Sequence, residues 1–430
     1  MTETCDVLVV GAGPAGTAAA LTAARAGLNV VVLERGEYVG AKNLTGGMVL
    51  TRVLADLIPD YADRAPLERP VEHQRVMLTD GPRALTLDIG NATFLDPPHN
   101  GFTVLRRAFD AWLADEARAA GAVIVTGAVV DDLILERGQV VGVRARLPEG
   151  ELRASVVVLA DGVNSLLAQR AGLRREHRPH DVSLGVKELW RLPAAVIDQR
   201  CGLRRGAGAA YAVIGDFLQG IPGGGFLYTN KDSLSVGVVV SPLDLARRQV
   251  TADQVLEGFK RIPEIARLTE GGQLVEYGAH LVPEGGYAAL PQLSGGGVLV
   301  AGDAAGLVVN TGLLLMGMNL ALDSGRCAGQ AAVAAIRRHD SSAAGLADYE
   351  RRLGQSVALT AMRAHRRAPA LLRRERLFVT YPRLVNDLLA DLVTVGAGPK
   401  QPFWRLARRR LRGKDALDLA QDAFRGARSL

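Results

Sequence analysis

The residues best placed for chemistry lie near the start of the chain, where positions 11–16 read Gly-Ala-Gly-Pro-Ala-Gly. In a turn of this type Gly11 permits a tight change from strand to helix, Gly13 lets the backbone approach a pyrophosphate, and Gly16 lets the helix pack closely. Glu34 follows 23 residues after Gly11, where its carboxylate can accept hydrogen bonds from a ribose diol. The spacing predicts a dinucleotide site and does not by itself separate NAD from FAD.

The flanking segments supply the elements that such a site needs. Residues 5–10 are a short, β-branched apolar run typical of a buried parallel strand, and residues 29–33 form a second one. An alanine-rich helical pattern lies between them, and this helix would direct its unpaired N–H groups and positive dipole end at the phosphates. Three neighbours of the motif complete the predicted contacts: Pro14, Ala15 and Arg35.

Two later segments have the features of a flavin site. Asp161-Gly162 follows the apolar run 153–160, and Gly302-Asp303 follows the run 297–301. A buried carboxylate at the end of an apolar strand costs several kcal/mol unless it is well hydrogen-bonded, and a ligand hydroxyl can supply that bond. The alternatives that need no ligand are a β-turn at Asp161 and a helix cap at Asp303.

Taken in order, the three motifs resemble those of the glutathione-reductase-type flavoproteins that include p-hydroxybenzoate hydroxylase. The resemblance implies FAD as the cofactor, with Asp303 on its ribityl chain. It also implies that Arg106 lies near the cofactor, although a solvated arginine at a helix start fits the sequence equally well. Three more residues are assigned to the cofactor: Val129, Gly312 and Leu313.

A narrower resemblance covers nearly the whole chain. Residues 40–47 look like the second flavin-contacting loop of the FixC proteins and the electron-transfer-flavoprotein:quinone oxidoreductases. The later segments that fit are 223–228, 234–239, 290–293, 376–378 and 381–382. In the loop, Lys42 and Asn43 would lie near the flavin ring, where a cation or an amide donor would stabilise negative charge and raise the flavin potential. An exposed lysine beside a turn-forming asparagine is the alternative.

The cysteines mark one departure from the quinone oxidoreductases of this group, which carry four cysteines for a [4Fe–4S] cluster in a C-terminal segment. This chain has Cys5, Cys201 and Cys327 and no CxxC motif, so we expect no metal site. The resemblance to FixC therefore implies electron transfer from a two-subunit electron-transfer flavoprotein, through FAD, towards a quinone. It also implies a separate ferredoxin-like iron–sulfur subunit, in a complex whose partner flavoprotein could bifurcate electrons. Because the flavin carries the electron chemistry, no catalytic side chain is expected.

Other functions share parts of the pattern. A flavin monooxygenase would have all three FAD motifs, although nothing here marks an aromatic-substrate site. A geranylgeranyl-reductase-like isoprenoid reductase is the more serious alternative, and its members often have a cysteine where this chain has Thr45. A protein that kept the fold and lost the flavin would be expected to lose the Gly-Asp segment, which is intact here.

The predicted fold is mixed α/β. It combines a FAD-binding Rossmann domain, of the glutathione-reductase and p-hydroxybenzoate-hydroxylase type, with an antiparallel-sheet substrate domain and a helical C-terminal region. We expect residues 1–180 and 279–345 to form the FAD-binding domain, 181–278 the substrate or quinone domain, and 346–430 the helical, basic region. Short apolar runs between positions 182 and 240 support the antiparallel sheet.

Positive charge is concentrated in the C-terminal region. Between Arg363 and Lys414 there are 14 Lys/Arg and three acids, whereas the whole chain has a net charge of +6. Residues 403–412 mix Phe, Trp and Leu with arginines. This pattern fits peripheral contact with an anionic membrane, or a dock for acidic partner subunits. No nucleic-acid-recognition module accompanies the charge. Without a signal-peptide pattern or a membrane-spanning run, we expect a cytoplasmic protein, with any membrane contact at the inner face of the cell membrane.

Overall fold

The computed structural model describes residues 4–43, 46–148, 150–396, 399–411 and 414–427, and it contains two large β-sheets with helices packed against them. Within these residues the strands, numbered in chain order, are β1 (Thr4–Val10), β2 (Val30–Leu33), β3 (Gly47–Leu50), β4 (Leu67–Asp80), β5 (Arg83–Gly90), β6 (Gly101–Val104), β7 (Val123–Val125), β8 (Val130–Glu136), β9 (Gln139–Ala145), β10 (Glu151–Leu159), β11 (Val182–Arg191), β12 (Gly208–Gly215), β13 (Gly223–Thr229), β14 (Ser233–Val240), β15 (Gln273–Pro283), β16 (Ser294–Gly295), β17 (Val298–Val300), β18 (Val309–Asn310) and β19 (Leu315–Met316).

The helices, described over the same residues, are α1 (Pro14–Arg25), α2 (Thr51–Leu57), α3 (Tyr61–Arg64), α4 (Arg106–Ala119), α5 (Leu166–Arg170), α6 (Ala194–Cys201), α7 (Pro242–Arg248), α8 (Ala252–Lys260), α9 (Pro263–Thr269), α10 (Met318–Arg337), α11 (Ala343–Leu346), α12 (Asp348–Gln355), α13 (Val357–Ala364), α14 (Ala368–Leu371), α15 (Thr380–Val393), α16 (Phe403–Arg410) and α17 (Lys414–Ala427). In the part of the chain that is described, none of them is long and apolar enough to cross a bilayer.

The first sheet has the strand order β16-β17-β10-β1-β2-β7, and the β8–β9 hairpin pairs beside β10. Its central strands are parallel: Leu8 of β1 pairs with Val157 of β10 on one side and with Val31 of β2 on the other. These strands are apolar without alternation because both faces of the sheet are covered. α1 packs against α10. The parallel strands β1 and β2, with α1 between them in the chain, confirm the predicted Rossmann unit.

The second sheet has the order β15-β11-β14-β13-β12-β4-β6-β3, with β5 pairing to β4. The strands predicted between residues 182 and 240 are present as β11 to β14, and they pair in antiparallel fashion. The sheet also differs from the expectation in one respect, because β12 pairs with β4 in parallel. β4 and β5 come from the segment 1–180, so strand pairing crosses the predicted boundary at residue 180. Pairing between distant segments of this kind leaves no local sequence signal.

Candidate functional site

A cavity of about 510 Å³, the first cavity, opens where β1, β2 and β10 end, at the carboxyl edge at which open α/β sheets bind ligands. The structure brings most of the predicted site residues to its wall. Those that line it are Gly11, Gly13, Pro14, Ala15, Glu34, Arg35, Lys42, Asn43, Arg106, Val129, Asp161, Gly162 and Asp303.

The glycine turn has a different steric role at each position. Gly11 has φ +98°, a left-handed conformation that favours glycine, and a methyl there would overlap the carbonyl oxygen of Ala160. A methyl on Gly16 would overlap the carbonyl oxygen of Gly11, because Gly16 packs directly behind the turn. Gly16 does not line the cavity. A methyl on Gly13 would meet no atom within 4 Å. Gly13 therefore leaves open space at the amino end of α1, where a phosphate can approach the N–H groups.

Glu34 is held at the end of β2 by the turn itself. Its Oε2 accepts a hydrogen bond from the N–H of Ala12 at 2.9 Å, and its Oε1 accepts one from the N–H of Gly36 at 2.7 Å. A carboxylate oxygen has more than one lone pair, so both oxygens can also accept bonds from ligand hydroxyls. The backbone bonds fix the orientation of the carboxylate, and its remaining lone pairs can accept bonds from a ribose diol.

Two aspartates face the same cavity from the ends of β10 and β17. Within the described residues, Oδ1 of Asp161 is buried without a hydrogen-bond partner, and burial raises the pKa of this carboxyl to about 6. Burial also raises the pKa of Asp303, while the nearby Arg106 and His280 act in the opposite direction. An orphaned buried oxygen and a second desolvated carboxyl indicate that a ligand supplies polar partners here.

Arg106 and Asn43 are positioned by a shared buried acid. Arg106 binds both oxygens of Asp110, from Nε and Nη2 at 2.9 Å each, and Asn43 donates its side-chain amide to the same carboxylate. Asp110 is buried on α4. The structure therefore places Arg106 on the cavity wall in a bidentate ion pair, unlike the solvated alternative.

Four predicted residues stand apart from the first cavity. Gly16 and Gly302 pack behind it, and a Cβ on Gly302 would lie 2.6 Å from the Cβ of Ala15. Gly312 and Leu313 lie at the tip of the β18–β19 hairpin and line a second cavity instead. Sequence position alone does not determine the direction in which a hairpin tip points. The predicted contact of this pair with FAD stays a prediction.

The second cavity has a volume of about 500 Å³ and shares part of its wall with the first. Phe226 and Tyr228 of β13 lie at the border, and their rings stack with centroids 5.2 Å apart. Burial raises the pKa of Tyr228 to about 12, so its phenol is neutral at physiological pH. The residues common to both walls are Met48, Phe226, Tyr228, Val239, Val308 and Leu315.

Two basic residues of the first cavity were missed by the sequence reasoning. Lys187 of β11 and His280 of β15 line the cavity from the second sheet. Both lie within strands that read as ordinary apolar runs with an occasional polar residue. A side chain is directed to one face or the other by strand register, so only the pairing of β11 with β15 brings the two to this wall.

The residues fit the parts of FAD. The open cradle at Gly13 suits a pyrophosphate, Glu34 suits a ribose, and Asp161 and Asp303 suit the hydroxyls of a flexible chain. The end of the cavity that borders the second cavity is lined by Phe226 and Tyr228, and it suits an isoalloxazine. Among the described residues no group of His, Cys, Asp and Glu is arranged to hold a metal ion.

Comparisons with known proteins identify three segments. Residues 6–179 match a family model described as FAD dependent oxidoreductase. Residues 182–282 match one described as ETF-QO, ubiquinone-binding, and residues 368–430 match the ETF-QO/FixC family C-terminal domain. ETF-QO stands for electron-transfer-flavoprotein:quinone oxidoreductase. The three matches follow one another along the chain.

Relatives match over almost their whole length. The chain is 42% identical to the probable electron transfer flavoprotein-quinone oxidoreductase YdiS of Escherichia coli K12, covering 99% of both chains. It is 42% identical to the protein FixC of the same strain, covering 98% of both, and 39% identical to that of Azorhizobium caulinodans, covering 99% of both.

Among solved structures, a geranylgeranyl bacteriochlorophyll reductase-like protein of Thermoplasma acidophilum has a TM-score of 0.72 at 22% identity, covering 98% of this chain and 100% of that one. At this identity the likeness shows the fold alone. The relatives and the family models together establish that the chain is an FAD-dependent oxidoreductase, and that it belongs to the ETF-QO/FixC family.

Proposed function

We propose that this protein passes electrons from a two-subunit electron-transfer flavoprotein, through its FAD, to a quinone bound in the second cavity. FAD supplies the redox chemistry when it is bound, and the chain positions it and shapes the quinone site. The observation that carries the proposal is the wall that the two cavities share, because a quinone in the second cavity would be next to the flavin ring across Phe226 and Tyr228.

The chemistry of the second cavity supports a quinone. Much of its wall is apolar, with residues such as Leu314, Met362 and Leu372. Polar groups interrupt that surface, among them the carboxylate of Glu284. Glu284 accepts hydrogen bonds from Ser183 and Asn310 at 2.6 and 2.9 Å. A quinone head group and its isoprenoid tail require such a surface, because only the carbonyls need polar partners.

A bulky substitution in the second cavity tests the proposal. Ala212 of β12 lines this cavity, and the indole of Ala212→Trp would occupy part of the space that a quinone needs. The assay reduces the purified holoprotein with dithionite under anaerobic conditions and follows its reoxidation by a short-chain ubiquinone analogue. We expect at least a tenfold slower quinone-dependent reoxidation at unchanged FAD content.

Ala195→Trp is the matched control, since Ala195 lies exposed on α6. It should reoxidise like the wild type. If quinone fails to reoxidise the wild type, the proposed acceptor is wrong. If Ala212→Trp reoxidises at the wild-type rate, the quinone does not occupy the second cavity.

The proposed complex includes a separate ferredoxin-like iron–sulfur subunit. The three cysteines of this chain are buried and lie far apart in the sequence. Affinity purification from cells at native expression should recover both subunits of an electron-transfer flavoprotein and a small iron–sulfur protein. Recovery of the flavoprotein alone would contradict the three-part complex. Electron bifurcation, if this complex performs it, would occur in the partner flavoprotein.

The proposed membrane contact rests on exposed side chains of α15, of α16 and of the described residues between them. Val395 is 85% exposed and Trp404 is 57% exposed, and Arg408 is exposed nearby. Other arginines of α16 bind acids of α15: Arg409 and Arg410 both bind Asp391. The cations available to a lipid surface are therefore fewer than the sequence suggests.

Flotation with anionic liposomes tests the membrane contact. We expect reversible, salt-sensitive binding that is lost on removal of residues from Pro402 onward. Trp404→Ser is the gentler variant, because Trp404 is exposed and its removal leaves the ion pairs of α16 intact. Unchanged flotation of both variants would exclude this surface as the contact.

A further inference from the structure

Lys187 is a buried lysine on the wall of the first cavity. Its side chain belongs to β11 and has 5% exposure, and its Nζ donates a hydrogen bond to the carbonyl oxygen of Gly46. Lysine is almost never buried to this extent without a specific partner or role. The carbonyl of Gly46 is a neutral acceptor, so it does not neutralise an ammonium.

The position of Lys187 corresponds to the flavin-ring end of the first cavity. The Gly13 turn marks the pyrophosphate end, and the border with the second cavity marks the other end. Across the second sheet, Lys187 pairs with Gly237 of β14, and Gly237 pairs with Phe226 of β13. In-register neighbours point to the same face, so Lys187 and Phe226 share a face with only a glycine between them.

Because Gly237 has no side chain, the ring of Phe226 extends over it towards Lys187. A Cβ at this position would lie 2.5 Å from Cζ of Phe226. Lys187 and Phe226 lie two strands apart in the sheet, so their backbones are about 10 Å from each other. Lys187 and the border ring of the second cavity therefore lie on the same wall, where the ring of FAD fits.

Burial favours the neutral form of Lys187, and charged groups of both signs surround it. Burial and, to a smaller extent, the nearby Arg106 lower the pKa of Lys187 to about 7, while Glu276 acts in the opposite direction. His280, which lies on β15 beside β11, has a pKa lowered mainly by burial, which favours the neutral imidazole. Asp303 faces the same cavity and attracts positive charge. At neutral pH the amine is therefore poised between its two protonation states.

We propose that Lys187 is the proton-exchanging residue of the flavin site. Its Nζ takes up one proton from solvent when two electrons arrive at the bound FAD, and it releases that proton when the electrons leave. The electrons come from the donor protein, or from dithionite in the test. One of the two added negative charges is neutralised by a proton on the cofactor, and the other by the proton on Nζ. The proposal depends on FAD and is independent of the identity of the donor and of the acceptor.

The pH dependence of the flavin midpoint potential measures this proton. Each proton taken up per two electrons lowers the potential by about 30 mV per pH unit, because a tenfold change in the equilibrium constant of a two-electron couple is about 30 mV. Added negative charge raises the pKa of Lys187 above its resting value, so the extra proton appears above about pH 7. We expect the wild type to show a slope steeper by about 30 mV per pH unit than Lys187→Met between about pH 7.5 and about pH 9.

Two further variants make the test specific. Lys187→Arg keeps a cation that does not titrate, so it should also lose the steeper slope, while its potential shifts upward. Lys187→Met should lose the slope with a downward shift. Lys231→Met is the control, because Lys231 is exposed on the turn between β13 and β14, and it should keep the wild-type slope and potential.

The slopes of the two Lys187 variants decide the proposal that Lys187 exchanges this proton. Loss of the steeper slope in both Lys187→Met and Lys187→Arg, with FAD content unchanged, supports it. A wild-type slope in either variant overturns it. Loss of FAD from both variants would also overturn it, since Lys187 would then be a residue needed for binding. None of these measurements requires a quinone or an electron-transfer flavoprotein, so failure of the proposed function would be recognised separately.

Discussion

Gly13 and Gly16 differ in what a methyl group would meet, and this difference gives a sharp prediction. A methyl on Gly13 would have no atom within 4 Å, because it would project into the first cavity. A methyl on Gly16 would overlap the carbonyl oxygen of Gly11 and lie 3.0 Å from Cγ1 of Val9. Gly13→Ala should therefore weaken cofactor binding with little effect on the apoprotein, whereas Gly16→Ala should destabilise the apoprotein itself.

The magnitudes follow from the contacts. A hydrogen bond from a backbone N–H to a charged group contributes about 1.5–3 kcal/mol. A methyl on Gly13 that displaces one such bond to the pyrophosphate weakens FAD binding by about 10-fold to about 100-fold. Overpacking costs about 1–3 kcal/mol. The overlap at Gly16 is with a backbone atom of the tight turn, which moves less easily than the end of a side chain, so we expect the upper end, about 3 kcal/mol, for Gly16→Ala.

The assay has two parts for each variant. Urea unfolding of the apoprotein, followed by circular dichroism, gives the change in the free energy of unfolding. Titration of the apoprotein with FAD, followed by the quenching of flavin fluorescence, gives the dissociation constant. The reasoning is refuted if Gly13→Ala binds FAD as tightly as the wild type. It is equally refuted if the two variants lose the same amount of apoprotein stability.

Further predictions concern three acids. Asp110→Asn removes the charge that binds Arg106, and loss of one partner from a buried pair should lower the free energy of unfolding by about 3 kcal/mol in urea melts. Asp115→Asn on the same helix breaks an exposed pair with Arg118 and should cost less than about 1 kcal/mol; equal losses in the two variants would contradict this. Burial raises the pKa of Asp161 from 3.8 to about 6. Between these two values the folded apoprotein binds more protons than the unfolded chain, so its free energy of unfolding falls as pH rises through about 6. Urea melts at pH 3 and pH 8 give the change in the free energy of unfolding caused by Asp161→Asn. This change should be more favourable at pH 8 than at pH 3, by up to about 3 kcal/mol. An equal change at the two pH values would disprove the assignment.

The Lys42 loop shows which features of the site the sequence motif predicts and which it does not. Lys42 and Asn43 were expected near the flavin ring, and both line the first cavity. Lys42 is exposed, however, and Asn43 donates its amide to Asp110. Residues 44–45, the middle of this loop, lie outside the described residues. Lys187 is the more deeply buried of the two lysines that line the first cavity.

The sequence by itself determined the cofactor cradle and the class of the protein. Gly11, Gly13, Gly16 and Glu34 lie within 24 residues of one another, and the strand, turn and helix that hold them are set by local pattern and by the steric demands of a tight turn. The ordered motifs that end in Asp303 extended this to FAD because each follows a recognisable apolar strand.

Only the tertiary structure decided which residues of the second sheet line the first cavity, and how the second cavity adjoins it. Lys187 reaches the first cavity through the register of β11 with β14 and β15, and a shift of one residue would turn it to the other face. The pairing of β4 with β12 joins segments that are more than 100 residues apart, and the β18–β19 hairpin carries Gly312 into the second cavity. Such long-range pairings depend on the packing of the whole chain, which a local pattern of residues does not encode.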